Sequence, residues 1–357
     1  MPLRDALCPA CQQPLDASTP DIACTACAQR YPRVAGMPLL LPQPDAHREL
    51  WRGQLGLLLE RGAQTQQALN EAAVVPNLLE ATRARLRALG VAVKTQVDDV
   101  AAVMSPALGG AGAPGKGLPR GVVEHIGYLY RDWGWPSAGY RENDVPLAQL
   151  LELLGNASLG RLLVLGAGAC GLAHALHHRG GGTETVAIDI DPYLLVPASA
   201  ILHGARLRLT EAALGVVDAA EVSRTWTLQS PSGAISSDAF HCVFADGLQP
   251  PFANGSFDTV LTPWFIDQVP RDLPAFIAEL SRLLRLGGHW LNQGPLIYPE
   301  QTPFDRRYAR AELFDLSRLH GFDPGAHLIA SQPYLVSPLT GRGKIEPVLS
   351  FIATKRR

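Results

Sequence analysis

The chain has 357 residues, 47% of them hydrophobic and 18% charged, and its 31 Lys and Arg against 33 Asp and Glu leave a formal net charge of -2. That balance excludes a generic polyanion-binding surface, which needs a basic excess, and the apolar content excludes wholesale disorder. No stretch reaches about 18 uninterrupted apolar residues, and MPLRDALCPAC lacks the apolar run of a secretory signal. The expectation is a soluble, cytoplasmic protein of two or three units, with neither membrane nor nucleic acid as partner.

Four of the six cysteines, Cys8, Cys11, Cys24 and Cys27, lie within the first thirty positions as CPAC and CTAC. Two C-x-x-C pairs at this separation suit two knuckles converging on one tetrahedral Zn²⁺. Two disulfides or four free thiols fit less well: a segment of roughly 40 residues cannot bury enough core to fold unaided, and a reducing cytosol does not supply disulfides. Four thiolates leave no open position, so the metal is expected to be structural. The residues that follow, AQRYPRVAGMPLLLPQP, complete a pattern over about residues 7–42. It resembles the small zinc-ribbon activators that bind and stabilise methyltransferases, which implies a docking module.

From Asp45 to about Ser105, Leu, Val and Ala recur at three- and four-residue intervals, predicting covering helices. Residues 106–121, PALGGAGAPGKGLPRG, have no periodic apolar face and read as a flexible linker or mobile loop. Beyond it, RLLVLG (161–166), ETVAID (184–189), HCVFAD (241–246), FDTVLTPW (257–264) and HWLNQGP (289–295) are short apolar runs, with helical segments between several of them. Such alternation predicts a doubly wound, mainly parallel α/β sheet. AHLIASQPYLV and PVLSFIATK, after the helix RAELFDLSRLHGF, read as a closing antiparallel pair.

At the first strand-to-helix turn stands VLGAGACGLAHAL. Gly166 permits the turn and Gly168 lets backbone approach a ligand, with Gly171 or the small Cys170 allowing close helix packing. The pattern fits a nicotinamide or flavin enzyme equally well. Asp189, ending the second strand, is placed to hold ribose hydroxyls. Asp246 ends the third and is followed by GLQPPFANGSFDTVLTPW. This stretch resembles the class I S-adenosylmethionine-dependent methyltransferases, in which the acidic group lies beside adenine; otherwise Asp246 caps a turn and Phe252 and Phe257 are core.

A narrower resemblance joins YLYRDWGWPSAGYRE (128–142), VLGAGACGLA (164–173), DPYLLVPASAILH (191–203), FIDQVP (265–270) and GGHWLNQGPLIYPE (287–300). In order, these blocks are similar to those of the carnosine N-methyltransferase family, which methylates the imidazole of histidine-containing small molecules; the coverage is about residues 120–357. The resemblance implies that Arg131 reaches the carboxylate of S-adenosylmethionine, that Gly166 and Gly168 hold the cofactor, and that Asp267 meets the acceptor imidazole. Two departures stand out. Cys170 replaces a loop glycine, and Pro299 replaces a histidine expected to contact the substrate, so carnosine itself is in doubt.

Methyl transfer is an in-line displacement, and the protein must hold an unprotonated lone pair near the methyl carbon. Asp267, at the carboxyl end of the fourth strand, would accept an N–H from one imidazole nitrogen and so fix the tautomer that aims the other. Its competing role is a helix cap. Asn292 and Tyr298 are polar groups at the same edge, candidates for substrate contact or for structural hydrogen bonds. His174, His177 and His178 have i, i+3, i+4 spacing but no acidic partner on their helix, and read as solvent-facing. The division expected is a zinc ribbon (1–44), a helical segment and linker (45–119) and a methyltransferase (120–357). The function expected is N-methylation of an imidazole or related nitrogen of a small histidine-like molecule or peptide. A macromolecular acceptor read by the ribbon, or a non-enzymatic assembly partner, is the alternative.

Overall fold

The computed structural model describes residues 3–17, 22–114, 122–269 and 272–357, the side chains of 122–124 excepted. In the N-terminal segment, β1 (Ile22–Ala23) pairs antiparallel with β2 (Arg30–Tyr31), and β3 (Arg33–Val34) with β4 (Met37–Leu40). Ala35 (φ 49) and Gly36 (φ 80) make the β3–β4 turn, and positive φ at both positions matches the right-handed twist of a two-residue hairpin. The hairpin does not stand apart: β4 runs parallel to β9 (Phe240–Ala245), Leu39 opposite Phe244 and Leu40 opposite Ala245.

Two long helices follow, α1 (Pro44–Ala72) and α2 (Glu80–Leu108). They are separated around Pro76, which cannot donate to a helical hydrogen bond. The Trp51 ring of α1 packs tilted against Phe244, with 4.9 Å between centroids, and Asp99 of α2 accepts from Thr210 N at 2.8 Å. Residues 106–108, expected in the linker, instead close α2, and Gly109 (φ 73) caps it. Gly112 N then donates to Arg52 O, and a Cβ at Gly56 would stand 2.2 Å from Gly112 O. A tight contact between distant glycines thus pins a stretch that reads as free coil; positions 115–121 of the expected linker lie outside the described residues.

The remaining elements are α3 (Val122–Leu129), a π-helical turn (Tyr130–Gly134), α4 (Asp144–Leu154), β5 (Gly160–Leu165), α5 (Gly171–Arg179), β6 (Gly182–Asp189) and α6 (Pro192–Leu202). The antiparallel pair β7 (Leu207–Ala212) and β8 (Ser223–Leu228) precedes β9, and β10 (Phe257–Pro263), α7 (Leu273–Leu283) and β11 (Leu284–Gly294) follow it. The last elements are α8 (Arg310–Leu319), β12 (Phe322–Tyr334) and β13 (Lys344–Lys355).

One nine-stranded sheet runs β12-β13-β11-β10-β5-β6-β9-β4-β3. Its centre, from β11 to β4, is parallel, and β13 and β12 add antiparallel at one edge. The chain moves outward from β5 to β6 and β9 on one side and to β10 and β11 on the other, so the topological switch lies between β5 and β10. A crevice forms there, beyond the carboxyl ends of those strands. No described helix is long and apolar enough to cross a membrane.

The N-terminal segment is also bound at the amino ends of the central strands β5 and β6. Arg161 on β5 reaches Asp5 (2.7 Å) and Glu184 (3.1 Å), and Arg4 pairs with the same glutamate at 2.5 Å. Ala6 bridges Phe252, and Cys8, Ile22, Tyr31, Phe252 and Phe257 share one apolar cluster. Phe252 and Phe257 are core residues. The helix carrying the three histidines corrects an expectation: His174 is 2% exposed beneath Trp133, and His177, also buried, bonds Thr185 Oγ1 at 2.8 Å, leaving only His178 exposed. Spacing defined a stripe on the helix, but its direction was set by the neighbours that cover it.

Candidate active site

The site begins where β5 turns into α5. Gly166 (φ 66) and Gly168 (φ 54) occupy the left-handed region, which favours glycine. A Cβ on Gly166 would stand 2.5 Å from the Phe265 ring, and one on Gly247 2.7 Å from the same ring, so Phe265 lies packed between two loops. Gly168 N donates to Asp189 Oδ2 at 2.7 Å, and Asp191 N to Asp189 Oδ1 at 2.9 Å. Burial, aided by the Asp191 charge, pushes the Asp189 carboxyl up to about 6. Cys170 takes φ 64 at the mouth of α5, with its side chain buried.

The π-helical turn grips this loop from two sides. Asp132 Oδ2 accepts from Gly171 N (2.8 Å) while its Oδ1 accepts from Arg131 Nε (2.7 Å) and Asn143 Nδ2 (2.8 Å). Trp133 Nε1 donates to Ala169 O at 2.7 Å. A Cβ on Gly171 would collide with the Asp132 carboxyl at 2.5 Å, so the contact requires glycine. Arg131 itself lies over the Tyr128 ring, 5.1 Å from its centroid, with Glu142 3.9 Å away.

The opposite wall comes from the β10 end. Trp264 adopts φ 52 and donates its N–H to Gln293 O at 2.7 Å. Its ring stacks on Tyr334 at 4.2 Å and 30°, and the Tyr334 hydroxyl bonds that of Tyr128. Asp267 follows in a 3₁₀ turn (Ile266–Gln268); it is 4% exposed, and its Oδ1 has no hydrogen-bond partner. Burial pushes its carboxyl up to about 6.

A cavity of about 630 Å³ joins the two walls. Arg131, Gly166, Gly168, Asp189 and Asp267 all line it. Asp246, Asn292 and Tyr298 are not among its lining residues. Asp246 accepts from Leu248 N at 2.8 Å, in a turn beside the Phe265 ring. Asn292 is wholly buried, accepting from Thr262 Oγ1 (2.8 Å) and donating to Leu349 O (3.0 Å). The Tyr298 hydroxyl donates to Tyr308 O at 3.2 Å, and burial, with Asp267 nearby, pushes it up to about 12.

Residues 163–291 match the family model described as a methyltransferase domain. The chain carries a methyltransferase domain. The enzyme is an S-adenosylmethionine-dependent methyltransferase, and its cavity suits that cofactor: two left-handed glycines let backbone approach, and the carboxylates on its wall would favour a sulfonium cation. Among solved structures, a chain of the complex between a Haloferax volcanii methyltransferase activator and the protein assigned as its methyltransferase is 14% identical, with 66% of this chain and 96% of that one covered and a TM-score of 0.41. An S-adenosylmethionine-dependent methyltransferase from Aquifex aeolicus is 13% identical, covering 58% and 89%, at 0.36. Geranyl diphosphate methyltransferase, solved with that diphosphate and sinefungin, is 18% identical, covering 59% and 76%, at 0.39. A search of curated proteins returns no significant match.

Several wall residues of the methyltransferase escaped sequence reasoning, namely Tyr128, Trp264, Tyr334, Lys344 and Glu346. Trp264 ends a strand in TPW, and its left-handed backbone is invisible in composition. Gly294 is the available signal: a Cβ there would lie 2.9 Å from Trp264 Cα, so a glycine on the adjacent strand marks the close crossing. The N-terminal cysteines also converge, their Sγ atoms all within 4.8 Å of one another.

Proposed function

We propose that the enzyme N-methylates an imidazole or related nitrogen of a small histidine-like molecule or peptide. The observation that carries this reading is the buried Asp267 with its unpartnered Oδ1 on the cavity wall facing the glycine loop. An unsatisfied buried carboxylate oxygen is costly, and an N–H of the acceptor supplies the missing donor. The cofactor, when bound, provides an electrophilic methyl group. Gly166, Gly168 and Asp189 hold it from the loop side, with Arg131 at its carboxylate and Asp246 nearer the adenine. Asp267 orients the acceptor ring by accepting from one nitrogen, which leaves the other unprotonated and aimed at the methyl carbon. Asn292 acts from the layer beneath by fixing Thr262 and β13, and Tyr298 by closing the loop after β11.

For the N-terminal segment we propose a structural zinc held by Cys8, Cys11, Cys24 and Cys27. Cys8 and Cys27 Sγ are 3.6 Å apart, as are those of Cys11 and Cys24; a tetrahedron of Zn–S bonds near 2.3 Å places sulfurs about 3.8 Å apart. The knuckles repeat one geometry: Gln12 N donates to Cys8 O and Ala28 N to Cys24 O, with positive φ at Gln12 and Ala28. The division into ribbon (1–44), helical segment (45–119) and methyltransferase (120–357) belongs to this reading, as does a cytoplasmic, reducing location that keeps the thiols available.

The test is incubation with methyl-labelled S-adenosylmethionine and a panel of histidine derivatives, dipeptides, proteins and RNA. Label on an imidazole nitrogen of a small acceptor is the expected result. Transfer to protein or RNA alone would replace the reading with the macromolecular one.

A further inference from the structure

The cavity wall carries far more negative than positive charge. Asp132, Asp189, Asp191, Asp267 and Glu346 line it, against the fixed cations Arg131 and Lys344. Asp132 is committed to Arg131 and the loop, and Asp191 bonds His125 Nδ1 at 2.7 Å. On the acceptor side this leaves two carboxylates, Asp267 and Glu346, contributed by different elements. Asp267 already has a role in orienting the ring; Glu346 has none.

Strand β13 sets Lys344 and Glu346 two residues apart, hence on one face, opposite Tyr334 and Gln332 of β12. The Glu346 side chain is 15% exposed and that of Lys344 70%, with 3.7 Å between their charged atoms. An ion pair with so exposed a partner is weak, so an incoming cation readily takes the place of Lys344. Glu346 lines the same cavity as Asp267, Trp264 and Tyr334, and sits two positions along β13 from the residue paired with Tyr334. Next to it the Trp264–Tyr334 stack presents aromatic faces that attract a cation. Glu346 and the Trp264–Tyr334 stack line the same cavity as Asp267, whose buried Oδ1 has no partner, and together they form a two-point site.

We propose that Glu346, together with the Trp264–Tyr334 stack, selects acceptors that carry a protonated amine remote from the nitrogen that is methylated. The proposal rests on the reading of this cavity as the acceptor site, and it adds a specificity-determining residue and a charge requirement to it. An imidazole bearing an ammonium group on a short chain is accepted, and the same ring bearing only a carboxylate is rejected. Asp267 reads the ring and Glu346 the tail.

The test is titration calorimetry on the full chain saturated with S-adenosylhomocysteine, using two matched pairs: histamine against imidazole-4-propionate, and phenethylamine against 3-phenylpropionate. In each pair the ammonium member should bind at least about tenfold more tightly. Glu346→Gln should shrink that ratio to about threefold or less and Glu346→Lys should invert it, both leaving S-adenosylhomocysteine affinity unchanged. Equal binding within the pairs, or a preference that survives Glu346→Gln, overturns the proposal. Histamine and phenethylamine binding alike while the charge preference persists overturns the imidazole reading alone. No binding by any of the four overturns both.

Discussion

Asp267 combines burial, an unpaired oxygen and a carboxyl pushed up to about 6. Asp267→Asn is nearly isosteric, so cofactor affinity should stay within about threefold while turnover falls by on the order of 10². Wild-type turnover at saturating acceptor should fall as pH drops through about 6, because the carboxylate that accepts the N–H is lost and the imidazole acceptor itself takes up a proton; the variant should keep only the acceptor's limb and so show the shallower fall. Stability should move oppositely. The folded pKa lies above the ordinary aspartate value of 3.8, so the fold holds the proton more tightly than the unfolded chain does. The resulting stabilisation is full below about 4 and gone above about 6. Above pH 7 the Asn variant should therefore be the more stable by up to about 3 kcal/mol, with the gap closing below pH 4. Denaturant melts at both pH values check this; equal turnover in the two proteins would make Asp267 a structural residue. The place of Asp267 on the cavity wall was legible because a strand end marks the ligand edge of a parallel sheet. Trp264 was not, since its partner Tyr334 is brought to it by strands paired far along the chain.

Among the elements, the central strands could be read directly, because β5, β6, β9 and β10 are covered on both faces and leave continuous apolar runs. The helical hairpin was half legible: periodicity gave its helices, whereas the close approach of Gly56 and Gly112 that fixes residues 109–114 is a non-local contact. The cysteine knuckles were fully legible from spacing, but the strand that follows them was not placed. Because β4 lies in the main sheet against β9, metal loss should not stop at the knuckles. Freshly purified protein should hold about one zinc per chain. Cys24→Ser, or a strong chelator, should lower the melting temperature of the entire chain in a single transition. Mass-spectrometric metal analysis and circular dichroism measure both, and a melting temperature indifferent to chelation would count against the site.

Over the whole molecule, a balanced net charge conceals a strongly acidic cavity, so the totals that argue against nucleic acid say nothing about the charge of a small ligand. The N-terminal segment touches the sheet at two separated places, the Arg161–Glu184–Arg4 cluster beneath β5 and the β4 edge, and shares its apolar cluster with Phe252 and Phe257. Deleting residues 1–43 would expose the β9 edge and uncover that cluster, a known aggregation hazard. The truncated chain should be recovered as aggregate, or melt at least about 10 °C below the full chain. A soluble truncation with unchanged melting and cofactor affinity would instead establish a self-sufficient catalytic unit.

Phe265, wedged between Gly166 and Gly247, also bears on the sequence of events in turnover. The ring touches the glycine loop proposed to hold the cofactor, and two residues later a 3₁₀ turn presents Asp267. If settling the loop settles the turn through this ring, the acceptor would meet a finished surface only after the cofactor has arrived. Initial-rate kinetics should follow an ordered course, with S-adenosylmethionine first and S-adenosylhomocysteine last to leave, so that the latter competes with S-adenosylmethionine but not with the acceptor. Phe265→Ala should release the two loops from each other and turn the ordered pattern into a random one; a random pattern in the wild-type enzyme would mean the ring transmits nothing.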